Sequence, residues 1–252
     1  MNRTFAEYSR LYRHVAMRRD GGIIELRLHT DGGPLVWGAG PHQELGHCFG
    51  DVGADRDNKV VILTGSGNTF LRALDNSWVG PMTPEKWDRI HSDGIRLLTA
   101  LLAIPVPVIG AVNGPATVHA ELAVLSDITL AADTAYFQDA PHFRYGTVPG
   151  DGVHVVWPAL LGPNRARYFL LTAQKIDAVE ALHLGVVNEV LPEVDLMDRA
   201  WEHARMLAGQ HEVALRCTRA ALVNDLRRKL ADGLGHGLAL EGLTAYATWP
   251  QK

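Results

Sequence analysis

Imidazole and carboxylate groups fall close together in two stretches of this chain, His119-Ala-Glu121 and the loop running from His142 to Asp151. An imidazole titrates near pH ~6.5, so it takes or gives a proton at working pH without large tuning. A nearby carboxylate can accept its other ring N–H, hold the tautomer and steady the imidazolium. Trp37 adds an indole N–H, which can only donate and so suits a carbonyl or oxyanion partner. Such groups together would activate water and hold the charge that develops when it attacks. On residue types alone each also has a structural reading. His142 follows a proline beside a glycine-rich loop, where a surface histidine fits equally well, and Asp151 would cap the helix expected after it. His119 would cap or pack a short helix, Trp37 would be core, and His42 and Glu241 would lie on solvated helix faces.

Other chemistries find little support. The segment Gly65-Ser-Gly67-Asn-Thr-Phe70 lacks the last glycine of GxGxxG, and there is no Walker A lysine motif, GxSxG elbow or HExxH. Cys48 and Cys217 lie in no CxxC or Cys/His ligand spacing, so no structural metal is expected. With 24 basic against 28 acidic residues the formal charge is -4, which gives no electrostatic reason to bind nucleic acid or an anionic membrane. The longest apolar run, Leu101 to Val112, is interrupted by Pro105 and Pro107 and is too short to span a bilayer. The first residues, through Val15, contain no apolar stretch of the signal-peptide kind. A chain of 252 residues, 47% of them apolar, can bury a substantial core. A soluble, cytoplasmic protein is expected.

The elements that must position the reactive groups can be read coarsely. His14–Arg18 and Ile23–His29 form an antiparallel opening pair around Gly21-Gly22, which supply the positive φ of a tight turn. A helix is expected across His42–Phe49. Lys59–Gly65 and Val106–Val112 are continuous apolar runs closed by turns, the pattern of buried strands. Between them Thr83-Pro84-Glu85 starts a helix that Pro105 ends. Glu121–Leu125 is a short helix, Ile128–Ala132 and Ala135–Phe137 are strands, and Val153–Leu161 is a helix. After Asp151 the pattern is mostly helical, with Val187–Leu191 the one clear strand. Alternation followed by helices predicts an α/β core over residues 1–195 and a helical region over 196–252.

Three stretches together resemble the crotonase (enoyl-CoA hydratase/isomerase) superfamily. They are Val61-Ile-Leu-Thr-Gly65 with Phe70-Leu-Arg-Ala-Leu-Asp75, Pro107-Val-Ile-Gly-Ala-Val-Asn-Gly114 with Glu121–Asp127, and Gly146-Thr-Val-Pro-Gly150 with the later Ala178–Val190. The resemblance covers roughly residues 14–215. It implies a spiral of ββα units whose helical C-terminal region trimerises, giving a homotrimer or a dimer of trimers. Departures from the pattern narrow it. Thr117-Val118-His119-Ala120 replaces the glycine stretch that brings backbone N–H groups to a thioester oxygen, and the position of the second hydratase glutamate falls on His142. The runs Pro34–Trp37, His42–Leu45, Val118–Glu121, Phe137–Phe143 and Val148–Trp157 resemble the β-diketone hydrolases of the 6-oxocamphor hydrolase family.

That second resemblance implies hydrolysis of a carbon–carbon bond between two carbonyls of a small cyclic diketone, giving a keto acid without cofactor. Its functional positions fall on His42, His119, His142, Asp151 and Glu241, with Trp37 as a carbonyl contact. His142 is then the base, Asp151 its orienting partner, and His119 and Trp37 the oxyanion donors. His42, Glu241 and Glu121 would help to bind substrate, Glu121 being either a structural carboxylate or an acid/base. Phe70, Trp78, Phe143, Tyr145 and Trp157 are candidates for an apolar wall. The alternative is an enoyl-CoA hydratase or isomerase in which Glu121 and His142 form the acid/base pair.

Overall fold

The computed structural model describes residues 3–75, 77–78 and 80–249. In chain order its elements begin with α1 (Phe5–Tyr8), β1 (Val15–Asp20), β2 (Ile23–Leu28), β3 (Val36–Trp37) and α2 (Ala39–Ala54). Then come β4 (Val60–Thr64), β5 (Ala73–Leu74), α3 (Pro84–Ala103), β6 (Val108–Val112), α4 (Glu121–Val124) and β7 (Ile128–Ala132). β8 (Tyr136–Phe137), a 3-10 turn (Phe143–Tyr145), α5 (Val153–Leu161), α6 (Pro163–Thr172), β9 (Ile176–Asp177) and α7 (Ala178–His183) follow. The chain closes with β10 (Glu189–Leu191), α8 (Glu193–Ala208), α9 (Glu212–Leu222) and α10 (Asn224–Thr248). The alternating core with its helical C-terminal region is the fold class expected.

One six-stranded sheet runs in the order β1-β2-β4-β6-β7-β10. β1 is antiparallel to β2, Val15 facing Leu28 and Asp20 facing Ile23, and every other neighbour is parallel. The apolar runs of β4 and β6 have a direct cause, because both faces of the sheet are covered. Val61 and Leu63 enter the main core with α2 and α3. Val60 and Ile62 enter a second core against Leu196, Ala200 and Trp201 of α8.

Thr83 caps α3 by accepting the Lys86 N–H at 3.2 Å, with Pro84 in the first turn, as its sequence suggests. α3 then buries Trp87, Ile90, Leu97, Leu98 and Leu101. Three strands of two residues were not expected from pattern: β3 pairs with β5, and β9 pairs with β8. Two residues are too few to show a period of two. The bridges Leu71–Ala116 and Ala116–Phe137 extend this smaller layer beside the end of β6. Among the described residues, no helix is long and apolar enough to cross a membrane.

Candidate active site

The small layer and α10 enclose a cavity of about 610 Å³, a size suited to a compact ligand. Trp37 reaches it from β3 and His42 from the first turn of α2. After β6, Thr117 donates its backbone N–H to Leu71 and leads into His119, which holds a φ of 45°. A left-handed backbone at a non-glycine residue stores about 1–3 kcal/mol and marks a position the surroundings over-determine. The strand-like segment that follows β8 hangs from the same region, with the N–H groups of Gln138 and Ala140 donating to the carbonyls of Ala116 and Thr117. It delivers Asp139 and His142.

Asp151 is brought in by a backbone-to-backbone approach. A Cβ on Gly150 would lie 2.1 Å from the Gly237 carbonyl oxygen, and one on Gly237 would lie 2.1 Å from the His154 ring. Only glycine at both positions lets α10 sit this close. The Val148 N–H donates to Thr244 Oγ1 at 2.9 Å, fastening the same loop to α10. Glu241, on the adjoining turn of α10, therefore faces the loop that carries Asp151.

These side chains form one buried cluster. Asp151 Oδ2 lies 3.3 Å from His119 Nδ1 and 3.4 Å from His142 Nε2, between the two imidazoles. Glu241 Oε1 stands 3.8 Å from His142 Nε2. The other His142 nitrogen, Nδ1, lies within hydrogen-bond distance of Asp139 Oδ1, at 2.6 Å. His119 Nδ1 and Glu121 Oε1 share a hydrogen bond at 2.6 Å, and the imidazole lies against Trp37 with centroids 4.1 Å apart. The Trp37 Nε1 is buried in the cavity wall with no protein partner. A ligand acceptor that reached this donor would satisfy it.

The environments drive the three imidazoles apart. Burial, reinforced by His119, depresses His42 to about 3, so it stays neutral. Burial also opposes charge on His119, but Glu121 and Asp151 outweigh it and raise its pKa. The same contest at His142 is won by Asp151, Asp139 and Glu241, which raise it well above its ordinary value. Among the carboxyls, burial pushes Glu241 up to about 7 and raises Glu121. Asp151 goes down in spite of burial, because His142, His119 and His154 favour its charge. Groups displaced in opposite directions within one cavity are the electrostatic pattern of an acid/base site. The triplets His119/Glu121/Asp151 and His142/Asp151/Glu241 have ligand atoms within 4.8 Å of one another.

Trp37, His42, His119, His142, Asp151 and Glu241 all line this one cavity. Several expectations need correction. Asp151 does not hold the second ring nitrogen of His142: Asp139 does, while Asp151 faces the nitrogen turned to the cavity. Nor does His142 sit near its ordinary pKa, because three carboxyls surround it. Glu121 is fully buried behind His119 and outside the cavity wall, so it has no access to substrate. Asp151 is not the N-cap of α5, which is Gly152, although the Val153 N–H helps to favour its charge. Of the proposed aromatic wall, Trp78 and Tyr145 line the cavity, whereas Phe70 and Trp157 are core and Phe143 is half-exposed. Trp249, Ile90 and Leu238 complete the apolar wall.

Residues 39–242 match the profile of the enoyl-CoA hydratase/isomerase family. The chain belongs to that family. A probable peroxisomal enoyl-CoA hydratase of Arabidopsis thaliana is 32% identical over 211 residues, 81% of this chain and 74% of that protein. A crystal structure of the enoyl-CoA hydratase of Mycobacterium tuberculosis H37Rv is 28% identical, with a TM-score of 0.77 over 92% of this chain and 98% of that one. The likeness rises sharply for a β-diketone hydrolase of the cyanobacterium Anabaena sp. PCC 7120, solved with (S)-3-oxocyclohexyl acetic acid bound. That protein is 47% identical, with a TM-score of 0.94 over 98% of this chain and 99% of its own. Within the enoyl-CoA hydratase/isomerase family, the chain is thus structurally related to a β-diketone hydrolase.

Proposed function

We propose that this protein hydrolyses a carbon–carbon bond in a cyclic β-diketone. The observation that carries the reading is one apolar-walled cavity in which two imidazoles flank a single carboxylate beside an open indole N–H. The ligand of the Anabaena protein supports it chemically. A cyclohexanone bearing an acetic acid arm at ring position 3 is what water yields by opening a bicyclic octane-dione whose ketones flank one bridgehead carbon.

The reaction needs a base, an oxyanion site and a sink for the leaving carbanion. Neutral His142 takes a proton from water through Nε2, and the hydroxide adds to one carbonyl. Glu241, with a pKa pushed up to about 7 by burial, is the group next to Nε2 able to carry the proton that His142 sheds beforehand. The oxyanion accepts from Trp37 Nε1 and from cationic His119, whose charge strengthens the bond. The bond between the carbonyl carbon and the shared carbon then breaks. Its electron pair enters the second carbonyl as an enolate, close to neutral His42, and the His142 imidazolium returns its proton to carbon. Atoms and charge balance as diketone plus water giving keto acid, with no cofactor required.

The hydratase alternative needs Glu121 as a partner of His142 at substrate. The Glu121 carboxyl is committed to His119 outside the cavity wall, which counts against that reading. The test is to offer a bicyclic 1,3-diketone and crotonyl-CoA to the purified protein in parallel. Keto acid from the first is expected; turnover of crotonyl-CoA alone would replace this reading with the alternative. The rate also carries a pH signature. Only neutral His142 acts as base and its pKa is raised, so kcat/KM should climb with pH through the alkaline side of ~6.5, the ordinary imidazole value. A profile already flat below that value contradicts the assignment.

Asp151→Asn removes the charge shared by both imidazoles. A fall in kcat of about 10²-fold is expected, with a smaller effect on melting temperature, since the amide oxygen of asparagine can still accept from the Val153 N–H. A loss of stability without a loss of kcat would make Asp151 a structural residue.

A further inference from the structure

Asp139 has no part in the chemistry just described, yet it makes the shortest contact to the histidine at its centre. It is 3% exposed, its Oδ1 accepts from His142 Nδ1 at 2.6 Å, and its Oδ2 is buried without a partner. The backbone on either side is pinned. Gln138 and Ala140 donate N–H groups to Ala116 and Thr117, the Gln138 side chain donates to the Ala173 carbonyl at 2.7 Å, and the His142 carbonyl accepts from Tyr145 at 2.8 Å. Carboxylate and ring are thus held by different anchors, and their contact is not a surface accident.

An ionised carboxylate only accepts, so this contact requires hydrogen on Nδ1. The neutral ring that results carries its lone pair on Nε2. That atom faces Asp151 at 3.4 Å and Glu241 at 3.8 Å, both longer than a direct hydrogen bond. Nε2 therefore keeps its capacity for a partner inside the cavity. Asp151 cannot perform this duty, because it approaches the same nitrogen that must react. We infer that Asp139 is the positioning residue of the site, fixing the Nδ1–H tautomer of His142 so that Nε2 alone is presented to the water and substrate. The inference rests on the diketone-hydrolase reading for its kinetic consequence, but its structural content stands apart from it. Two carboxylates divide the labour: Asp139 holds the ring, and Asp151 couples it to His119.

The decisive measurement needs no variant. In protein labelled with nitrogen-15 histidine, the His142 ring above its titration midpoint should be the Nδ1–H tautomer; a predominant Nε2–H tautomer overturns the inference, whether or not any diketone is turned over. The His142 signals are assigned by their loss in H142A. The groups facing the ring are Asp139 from its own segment, Asp151 from the start of α5, Glu241 from α10 and His119 beside α4. In Asp139→Asn the other three are kept, so the His142 midpoint should move down by about one pH unit. The acid limb of kcat/KM should move with it, and kcat should fall about 10- to 100-fold with little change in KM. Asp139→Ala should regain activity with added formate. A residue that merely supports the loop would lower the melting temperature and leave the midpoint and the acid limb unmoved, and that result also overturns the inference. Absence of diketone turnover by the wild type would defeat the functional reading alone, leaving the tautomer and the midpoint to be read.

Discussion

Replacing His142 with alanine is expected to lower diketone turnover by about 10³-fold, the scale of a general base that also returns the proton. The variant should still fold, but its stability should acquire a new pH dependence. In the wild type the imidazolium faces Asp139, Asp151 and Glu241. Without it Asp151 and Glu241 lose that cation, and burial has less to oppose it in pushing both carboxyls up. A carboxyl with a raised folded-state pKa favours the folded protein at low pH and opposes it as the group ionises. The variant's own stability should thus be greatest around pH 5 to 6 and decline towards pH 8. Turnover assayed at the lower pH, with folding checked by near-ultraviolet circular dichroism, separates lost chemistry from lost structure. Added imidazole, entering the space left by the ring, should restore part of the rate. Wild-type kcat in H142A at any pH would remove His142 from the mechanism.

The ease with which parts of this architecture can be read from sequence follows physical lines. β4 and β6 are legible because burial on both faces demands uninterrupted apolar runs, and α3 because capping and a terminal proline mark both of its ends. Two-residue strands such as β3 and β9 carry no period at all, yet β3 is what sets Trp37 in the cavity wall. His42 looks like a solvated helix residue until α2 crosses α3 and the rings of Trp37 and Trp78 close over it, leaving it 4% exposed. Asp139 was visible in the run Phe137–Phe143, but nothing in residue type distinguished it from Asp151. The choice between them depends on which ring nitrogen each reaches, and that is set by the turn through Pro141 and by the approach of α10. Family resemblance pointed to the cavity residues; it did not assign their partners.

The departures from the family's glycine stretch also have a physical consequence. His119 stands at a φ of 45°, a backbone that suits glycine, so a bulky side chain is held there against conformational preference. In the proposed mechanism its return is a side-chain donor, braced by Glu121 and Asp151, in place of a bare backbone N–H. On that reading the site exchanges close backbone approach for side-chain electrostatics, with Glu121 as the brace.

The second large effect is expected at Trp37. Trp37→Phe keeps an aromatic ring in the wall but deletes the open Nε1–H, and kcat should fall about 10²- to 10³-fold, the usual consequence of losing one oxyanion donor. KM should change little if the bond strengthens only as charge develops on oxygen. Stability should respond to different terms. Shrinking a fully buried indole opens space and costs about 1–3 kcal/mol, an effect offset in part because the deleted donor had no partner to lose. Kinetics and melting temperature therefore report on separate properties of one side chain. If Trp37 were only core, the melting temperature would fall and kcat would stay within a few-fold of the wild type. If it is the donor, kcat collapses while the folded state is dented no more than any trimmed core residue, and a substrate analogue bearing a single ketone should bind both proteins alike.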